Sequence, residues 1–323
     1  MTATVLAPDK VTVSTRAVVD TTLAELGADH PQLWVVTPDI GGNLTQFRQQ
    51  FPDRFLDVGL AEQASVTLAA GLAYDGAIPV VSGMLPFLSM RSLEQIRTDV
   101  CYPNLPVKIV GSHGGLVGNG GSTHYALEDI ALMTALTNMT VVSVVDPHVV
   151  GEILRQSMTM TGPLYLRFGV GKAEPVIYDL EQTQITLGRG ITARDGDGLT
   201  LFTHGTTLPQ ALTAAETLAA EGIQVRVIDM FTIKPLDADL VLRCAAETDG
   251  RFLVLEDHLA YGGLATKIAD LVLDTGTQLN AFERLGIPQV FPGFGSDVEL
   301  REKHGYGLSH TLEAARRVAG VSR

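Results

Sequence analysis

The chain has 323 residues, a length that at roughly 150 residues per domain suggests about two domains. With 46% hydrophobic and 18% charged residues it has the profile of a folded protein, which excludes a disordered chain, a collagen and a small disulfide scaffold. Its 36 acidic against 23 basic residues leave a net charge of −13, and no block of Lys or Arg could release phosphate counterions, so no nucleic-acid partner is expected.

In chain order, Met1 to Val13 lacks a charged start followed by an apolar run, and no later segment reaches the roughly 18 apolar residues of a membrane span. A cytoplasmic protein with no membrane contact is expected. Strands are predicted at Leu33 to Pro38, Pro79 to Ser82, Val107 to Gly111, Thr140 to Val145 and Leu164 to Phe168, each nearly continuous in apolar residues as buried parallel strands require. Ala61 to Tyr74, Ser92 to Val100 and Val149 to Met158 carry helical spacing and read as crossover helices. The polar stretch Tyr178 to Gly190 interrupts the rhythm and marks a boundary, giving expected domains 1–183 and 184–323. The second half restarts with strands at Leu199 to Thr203, Val225 to Asp229, Phe252 to Glu256 and Gln289 to Phe291. Its helices are near Thr207 to Ala220, Leu264 to Leu273 and Ser309 to Val318. The predicted fold class is therefore α/β, with two domains, each a mostly parallel sheet flanked by helices. Cys101 and Cys244 fit no metal spacing and read as two reduced thiols.

Three segments could carry chemistry. In Asp57-Val58-Gly59-Leu60-Ala61-Glu62-Gln63-Ala64 a carboxylate falls in the first turn of an Ala-rich helix, where the helix dipole alone would favour it. The segment Ala64 to Ala73 is apolar almost all round and would bury that Glu, and a buried carboxyl can hold or share a proton. Gly111-Ser112-His113-Gly114-Gly115 and Gly118-Asn119-Gly120-Gly121-Ser122-Thr123-His124 form one Gly-rich loop after a strand, carrying two histidines. Such loops bind ligands in parallel-sheet folds and also occur as plain turns. Gly196-Asp197-Gly198 precedes a strand and reads as a turn.

Together these motifs resemble the transketolase family. Asp57 to Gln63 is similar to the glutamate motif of its pyrimidine-binding domain, and Ser112-His113 with Ser122-Thr123-His124 to its two substrate-loop histidines, in the same order. Asp229 to Asp237, Glu256-Asp257-His258 and Gly262-Gly263 are similar to its C-terminal domain. The family's diphosphate-binding domain carries Gly-Asp-Gly with a later Asn that holds magnesium. No Asn lies between Gly198 and Asn280, so the local match is a decoy and no metal ligand is assigned on this chain.

The resemblance implies the second subunit of a split transketolase. It implies thiamine diphosphate as cofactor, with Mg2+ held by a separate N-terminal subunit, and a heterotetramer of two chains of each type. Glu62 would hydrogen-bond N1′ of the aminopyrimidine, favouring the tautomer that takes the thiazolium proton. Met84, Phe87 and Met90 would line the ring slot, where only Phe87 is aromatic and the methionines would cover the ring by their polarizability. Asp39 would lie near the cofactor. His113 and His124 would bind donor hydroxyls or carbonyl and shuttle protons, and Arg167 would lie near an acceptor's phosphate. Two departures bear on the substrate: Gly120 stands where the family has an Asp contacting a sugar hydroxyl, and Ile40-Gly41-Gly42 replaces a phosphate-binding Ser. The implied activity is transfer of a two-carbon ketol unit from a ketose to an aldehyde, in carbohydrate metabolism or a specialised pathway. A β-type subunit of a 2-oxoacid dehydrogenase or decarboxylating synthase shares the glutamate motif, and a non-catalytic supporting chain shares the fold. Phe231 to Asp237 speaks against the former, and the retained Glu62 against the latter.

Overall fold

The computed structural model describes residues 2–6, 11–39, 43–117 and 120–321. The first half runs β1 (Thr12–Val13), α1 (Thr15–Asp29), β2 (Leu33–Thr37), α2 (Thr45–Gln50), β3 (Phe55–Asp57), α3 (Glu62–Tyr74) and β4 (Ile78–Met84). It continues through α4 (Leu85–Arg91), α5 (Leu93–Gln95), β5 (Lys108–Ser112), α6 (Asp129–Ala135), β6 (Thr140–Ser143), α7 (Pro147–Ser157), β7 (Leu164–Arg167) and β8 (Glu174–Pro175). The second half holds β9 (Ile191–Arg194), β10 (Leu199–Thr203), α8 (Leu208–Ala219), β11 (Val225–Asp229), β12 (Thr232–Lys234) and α9 (Ala238–Glu247). It ends with β13 (Arg251–Leu259), α10 (Leu264–Thr275), β14 (Ala281–Ile287), α11 (Asp297–Lys303) and α12 (Leu308–Val318).

Among the described residues, seven strands form one sheet in the order β12-β6-β7-β5-β4-β2-β3, and five form a second in the order β14-β13-β10-β11-β9. Strands β2 to β7 are parallel, and so are β10, β11, β13 and β14; β12 and β9 run antiparallel to their neighbours. The chain is thus α/β with two domains, each built on a mostly parallel sheet flanked by helices. Val80, Val81, Ile109 and Val110 are fully buried, which is why these strands read as unbroken apolar runs. Helix α7 starts where Asp146 accepts the His148 and Val149 N–H groups and Pro147 takes the first turn.

Two expectations change. Ser92 to Val100 is not one α-helix: it holds the short α5 and then a π-helix over Ile96–Cys101, and α4 precedes it unannounced. Gln289 to Phe291 is not a strand, and Phe291 is largely exposed; the strand of that region is β14. Charges at its centre hide β14, since Glu283 pairs with Arg317 and Arg284 lies over Tyr261 and Phe282. Helices α1, α2, α6, α9 and α11 have no counterpart among the expected helices.

The Gly196-Asp197-Gly198 turn connects β9 to β10 across the backbone of β11. A Cβ on Gly196 would lie 2.6 Å from the Val225 carbonyl carbon, and the Gly198 N–H donates to Gln224 O (2.8 Å). Both glycines therefore have a packing reason. The two halves share their packing: β12 adds to β6 of the first sheet, Lys234 Nζ donates to Thr134 O and Leu136 O at the end of α6, and Tyr178 donates to Asp229 (2.9 Å). Cys101 and Cys244 are buried and free. Among the described residues, no helix is long and apolar enough to cross a membrane.

Candidate functional site

The parallel strands of the first sheet end side by side, and the residues singled out in the sequence follow those ends. Asp39 comes after β2, Glu62 opens α3 after β3, Met84 closes β4, and His113 follows β5. This is the edge at which open parallel sheets bind ligands. Asp39 is exposed, with φ +61°, and its N–H donates to Asp57 Oδ1 (3.2 Å), which also accepts the Gly59 N–H (3.1 Å). Asp57 so ties the β2 loop to the turn that aims Glu62. Ile40, Gly41 and Gly42, noted above as replacing a phosphate-binding Ser, lie outside the described residues, as do Gly118 and Asn119 of the histidine loop.

Glu62 is the first residue of α3 and is 3% exposed. The free N–H groups of that helix end favour its charge. Its Oε2 accepts from Arg91 Nη1 at 2.5 Å, and the Arg91 guanidinium carbon lies 4.8 Å from the centroid of the Phe87 ring. Phe87 in turn meets His124 edge-on, with centroids 5.2 Å apart and planes at 80°. Four side chains from α3, α4 and the histidine loop thus form one connected row. Met84 and Phe87 are half-buried, whereas Met90 is 55% exposed.

His113 adopts φ +70°, an uncommon conformation for a side chain of its size, held by its N–H to Gly169 O (2.8 Å) and a contact between Nδ1 and Ser112 Oγ (2.9 Å). Burial first, then the nearby Arg16, His124 and Lys172, push its pKa down from 6.5 to about 4. The ring is therefore neutral at cellular pH, able to donate from one nitrogen and accept at the other. His124 sits on a short turn with Nδ1 2.8 Å from Thr123 Oγ1. Gly120 packs under it: a Cβ there would lie 2.5 Å from His124 Cβ, so this loop shape has no room for an Asp.

Arg167 departs from the expected phosphate contact. It is 1% exposed, and its guanidinium donates to Asp129 Oδ2 (2.9 Å), Ser143 Oγ (3.2 Å), Ala126 O (3.2 Å) and Asp257 O (2.7 Å). It joins the two domains beneath the histidine loop and faces no open channel. Two cations escaped the sequence reading. Arg91 carries the row described above, and Arg16, in the first turn of α1, brings Nη2 to 3.5 Å from Ser112 Oγ beside His113. Neither stands in a motif, and only the folded arrangement marks them.

The row has the chemistry of a slot for a flat, hydrogen-bonding ring. The planar Arg91 guanidinium both donates to the Glu62 carboxylate and covers the face of Phe87, two contacts that an aminopyrimidine would also make. The residues present fit such a group. A metal is a different matter: among the described residues no group of three or more His, Cys, Asp or Glu side chains is arranged to hold a metal ion.

Comparison with known proteins agrees with this geometry. The transketolase pyrimidine-binding domain model matches residues 11–174, and the transketolase C-terminal domain model matches residues 188–310. The chain is 35% identical over 287 residues to a protein of Methanocaldococcus jannaschii named as a transketolase C-terminal section, covering 88% of this chain and 89% of that one. It is 36% identical over 299 residues to 1-deoxy-D-xylulose-5-phosphate synthase 1 of Geobacter sulfurreducens, covering 91% of this chain and 46% of the synthase. The chain thus spans less than half the length of that relative. A solved structure titled as a split-gene transketolase, inactive beta4 tetramer, superimposes with a TM-score of 0.84 at 32% identity, covering 97% of this chain and 99% of that one. The strand-end site, both family models and relatives of matching extent lead to one conclusion: the chain belongs to the transketolase family, whose pyrimidine-binding domain implies the use of thiamine diphosphate.

Proposed function

We propose that this chain is the pyrimidine-binding and C-terminal subunit of a split transketolase, with domains at 1–183 and 184–323, acting in the cytoplasm in carbohydrate metabolism or a specialised pathway. It would transfer a two-carbon ketol unit from a ketose or related keto donor to an aldehyde, and only when assembled with a separate N-terminal subunit. The observation that carries the reading is the row Glu62–Arg91–Phe87–His124 at the carboxyl ends of β3, β4 and β5. The two buried thiols suit a reducing compartment.

Thiamine diphosphate, when bound, supplies the electron sink for cleavage beside a carbonyl. The protein's part is to bind, orient and move protons. Glu62 would hold the proton at N1′ of the aminopyrimidine, once Arg91 has yielded its place. Phe87 and Met84 would cover the ring face, with Met90 and Asp39 at the margin. Neutral His113 would donate to a substrate hydroxyl or carbonyl oxygen, and His124, steadied by Phe87, would do the same from the opposite arm of the loop. Arg16 replaces Arg167 in our assignment of the cation facing an anionic acceptor group, because it reaches Ser112 beside His113. We assign Mg2+ to the partner subunit, in a heterotetramer with two copies of each chain.

Names of relatives support a second reading. The Geobacter sulfurreducens and Heliobacterium modesticaldum matches are 1-deoxy-D-xylulose-5-phosphate synthases, at 36% and 35% identity. A decarboxylating synthase would draw on pyruvate where a transketolase draws on a ketose. Titrating thiamine diphosphate with Mg2+ into this chain alone, and then into its mixture with an N-terminal transketolase chain, tests the split. Tight binding by this chain alone would overturn it. Product analysis with ketose against pyruvate as donor separates the two reactions.

A further inference from the structure

The histidine loop leaves β5 after Ser112 and returns at α6. Among its described residues it is held by three backbone bonds of its own, Gly115 N–H to Ala126 O (2.9 Å), Ala126 N–H to His113 O (3.0 Å) and His124 N–H to Gly121 O (2.9 Å). Further ties come from the C-terminal domain. Leu116 N–H donates to Asp257 Oδ1 (3.1 Å), Leu259 N–H to Leu127 O (3.0 Å), and Gly293 N–H to Ser122 Oγ (3.0 Å). Asp257 is the most deeply built of these anchors. It is fully buried, and its carboxylate also accepts from Tyr306 OH (3.0 Å), Thr206 Oγ1 (2.5 Å) and Arg301 Nη2 (2.9 Å). The loop lies so close that a Cβ on Gly115 would fall 2.3 Å from Asp257 Oδ2. The Arg167 guanidinium closes the arrangement by donating both to Asp257 O and to Ala126 O.

A carboxylate with all these donors around it has no free lone pair facing a channel, so its work is to hold and not to carry a proton. Burial alone would raise its pKa, but the Arg301 charge, the Thr206 hydroxyl, Arg167 and the Leu116 N–H outweigh burial and hold it at about 2. Its charge is therefore constant wherever the protein works. Apart from the loop's own Leu116 N–H, the donors that fix it come from Thr206 just before α8, Arg301 of α11 and Tyr306 just before α12, all in the C-terminal domain.

We propose that Asp257 is a positioning residue for the histidine loop: it fixes the backbone at Gly115 and Leu116 from the C-terminal domain, and thereby sets where His113 and His124 stand for the substrate. This gives the C-terminal domain a defined part in the reaction although the row Glu62–Arg91–Phe87–His124 comes entirely from the other domain. The proposal rests on the reading of the two histidines as substrate-facing.

The test uses two variants of the full chain. Asp257→Asn removes the charge at nearly constant shape. Thr206→Val is milder: it removes one of the four donors to the carboxylate and leaves the other three, and so keeps the test alive if the first variant does not fold. Amide hydrogen exchange, read for residues 113–127 against β2 and β10, is expected to speed by about tenfold in the loop alone, the ratio that loss of one charged hydrogen bond corresponds to. In the complex with the N-terminal subunit, with hydroxypyruvate as donor probe, kcat/KM is expected to fall by about tenfold through KM, with thiamine diphosphate affinity unchanged. Exchange that is unchanged in the loop, or faster everywhere alike, overturns the proposal. A loosened loop with an unmoved KM leaves Asp257 as an anchor but overturns the substrate-facing reading of the histidines, and with it this positioning role.

Discussion

Glu62 and Glu256 both accompany a parallel strand giving way to a helix, one in each domain, yet their surroundings are opposite. Glu256 is completely buried and accepts the Leu264 N–H (2.8 Å) and Ala265 N–H (3.2 Å) at the start of α10. Burial works to raise its pKa, but His204, His258 and these N–H groups hold it below the ordinary carboxylate range. Glu62 opens its own helix, and its one side-chain ion pair among the described residues is with Arg91, whose side chain is 48% exposed. A carboxylate saturated by its own fold stabilises that fold; one paired only to a movable surface cation can exchange that partner for a ligand. The same distinction separates Asp257 and Arg167, locked between the domains, from Arg91 and Arg16 at the strand ends.

The contrast can be broken by experiment. The largest effect expected is on turnover: Glu62→Gln in the assembled enzyme should lower kcat by about 10³-fold, within the range of a lost proton-transfer group, while the melting curve stays in place. Turnover near that of the parent would end the assignment. Glu256→Ala should do the reverse, costing about 3 kcal/mol in urea unfolding, since the buried Leu264 and Ala265 N–H groups lose their acceptor. An unchanged urea midpoint would show that this carboxylate is not structural. Phe87→Ala should weaken thiamine diphosphate binding in the complex by about 1 kcal/mol, measured by calorimetry.

The join between domains should also respond to pH. Burial, opposed by the Tyr178 hydroxyl and aided by Asp146, raises Asp229 from 3.8 to about 7. The folded form then binds more protons than the unfolded form between these values, so Asp229 costs stability as pH rises through that window. Asp229→Asn should flatten the decline of the urea midpoint between about pH 4 and 7, by roughly 1 kcal/mol per pH unit. A parallel decline in both proteins would remove Asp229 as its source. Smallest of all, Arg91→Met should change stability by less than about 1 kcal/mol, because Arg91 is half exposed and the helix N-terminus still favours the buried Glu62 carboxylate. A larger loss would make Arg91 part of the scaffold, and the comparison with Glu256 would fail.

Much of this was readable in the residues because burial on both faces leaves a plain trace. Val80-Val81 and Ile109-Val110 could hardly be anything but central strands, and the Ala-rich run after Glu62 announced a helix that buries its first residue. β14 was hidden because its paired Glu283 and partly stacked Arg284 imitate a loop, while Val290 and Phe291 imitate a strand that does not form. The π-helix at Ile96–Cys101 breaks the helical period from which Ser92 to Val100 was read as one helix. Arg91 and Arg16 stayed hidden for another reason: what each does depends on a partner far along the chain, and local spacing carries no mark of that. Arg167 shows the converse, a strand-end cation whose neighbours turn it inward.

The two family matches end and begin at 174 and 188, so the chain invites division between them. Yet β12, drawn from beyond that gap, is the outermost strand over β6, and Lys234 beside it covers the last carbonyls of α6. A fragment stopping at residue 183 would present the bare N–H and C=O groups of β6, a template on which a second fragment can pair. Dissecting the protein at its sequence boundary would therefore manufacture a sticky edge, and what such a fragment does in solution would report the cut and not the domain.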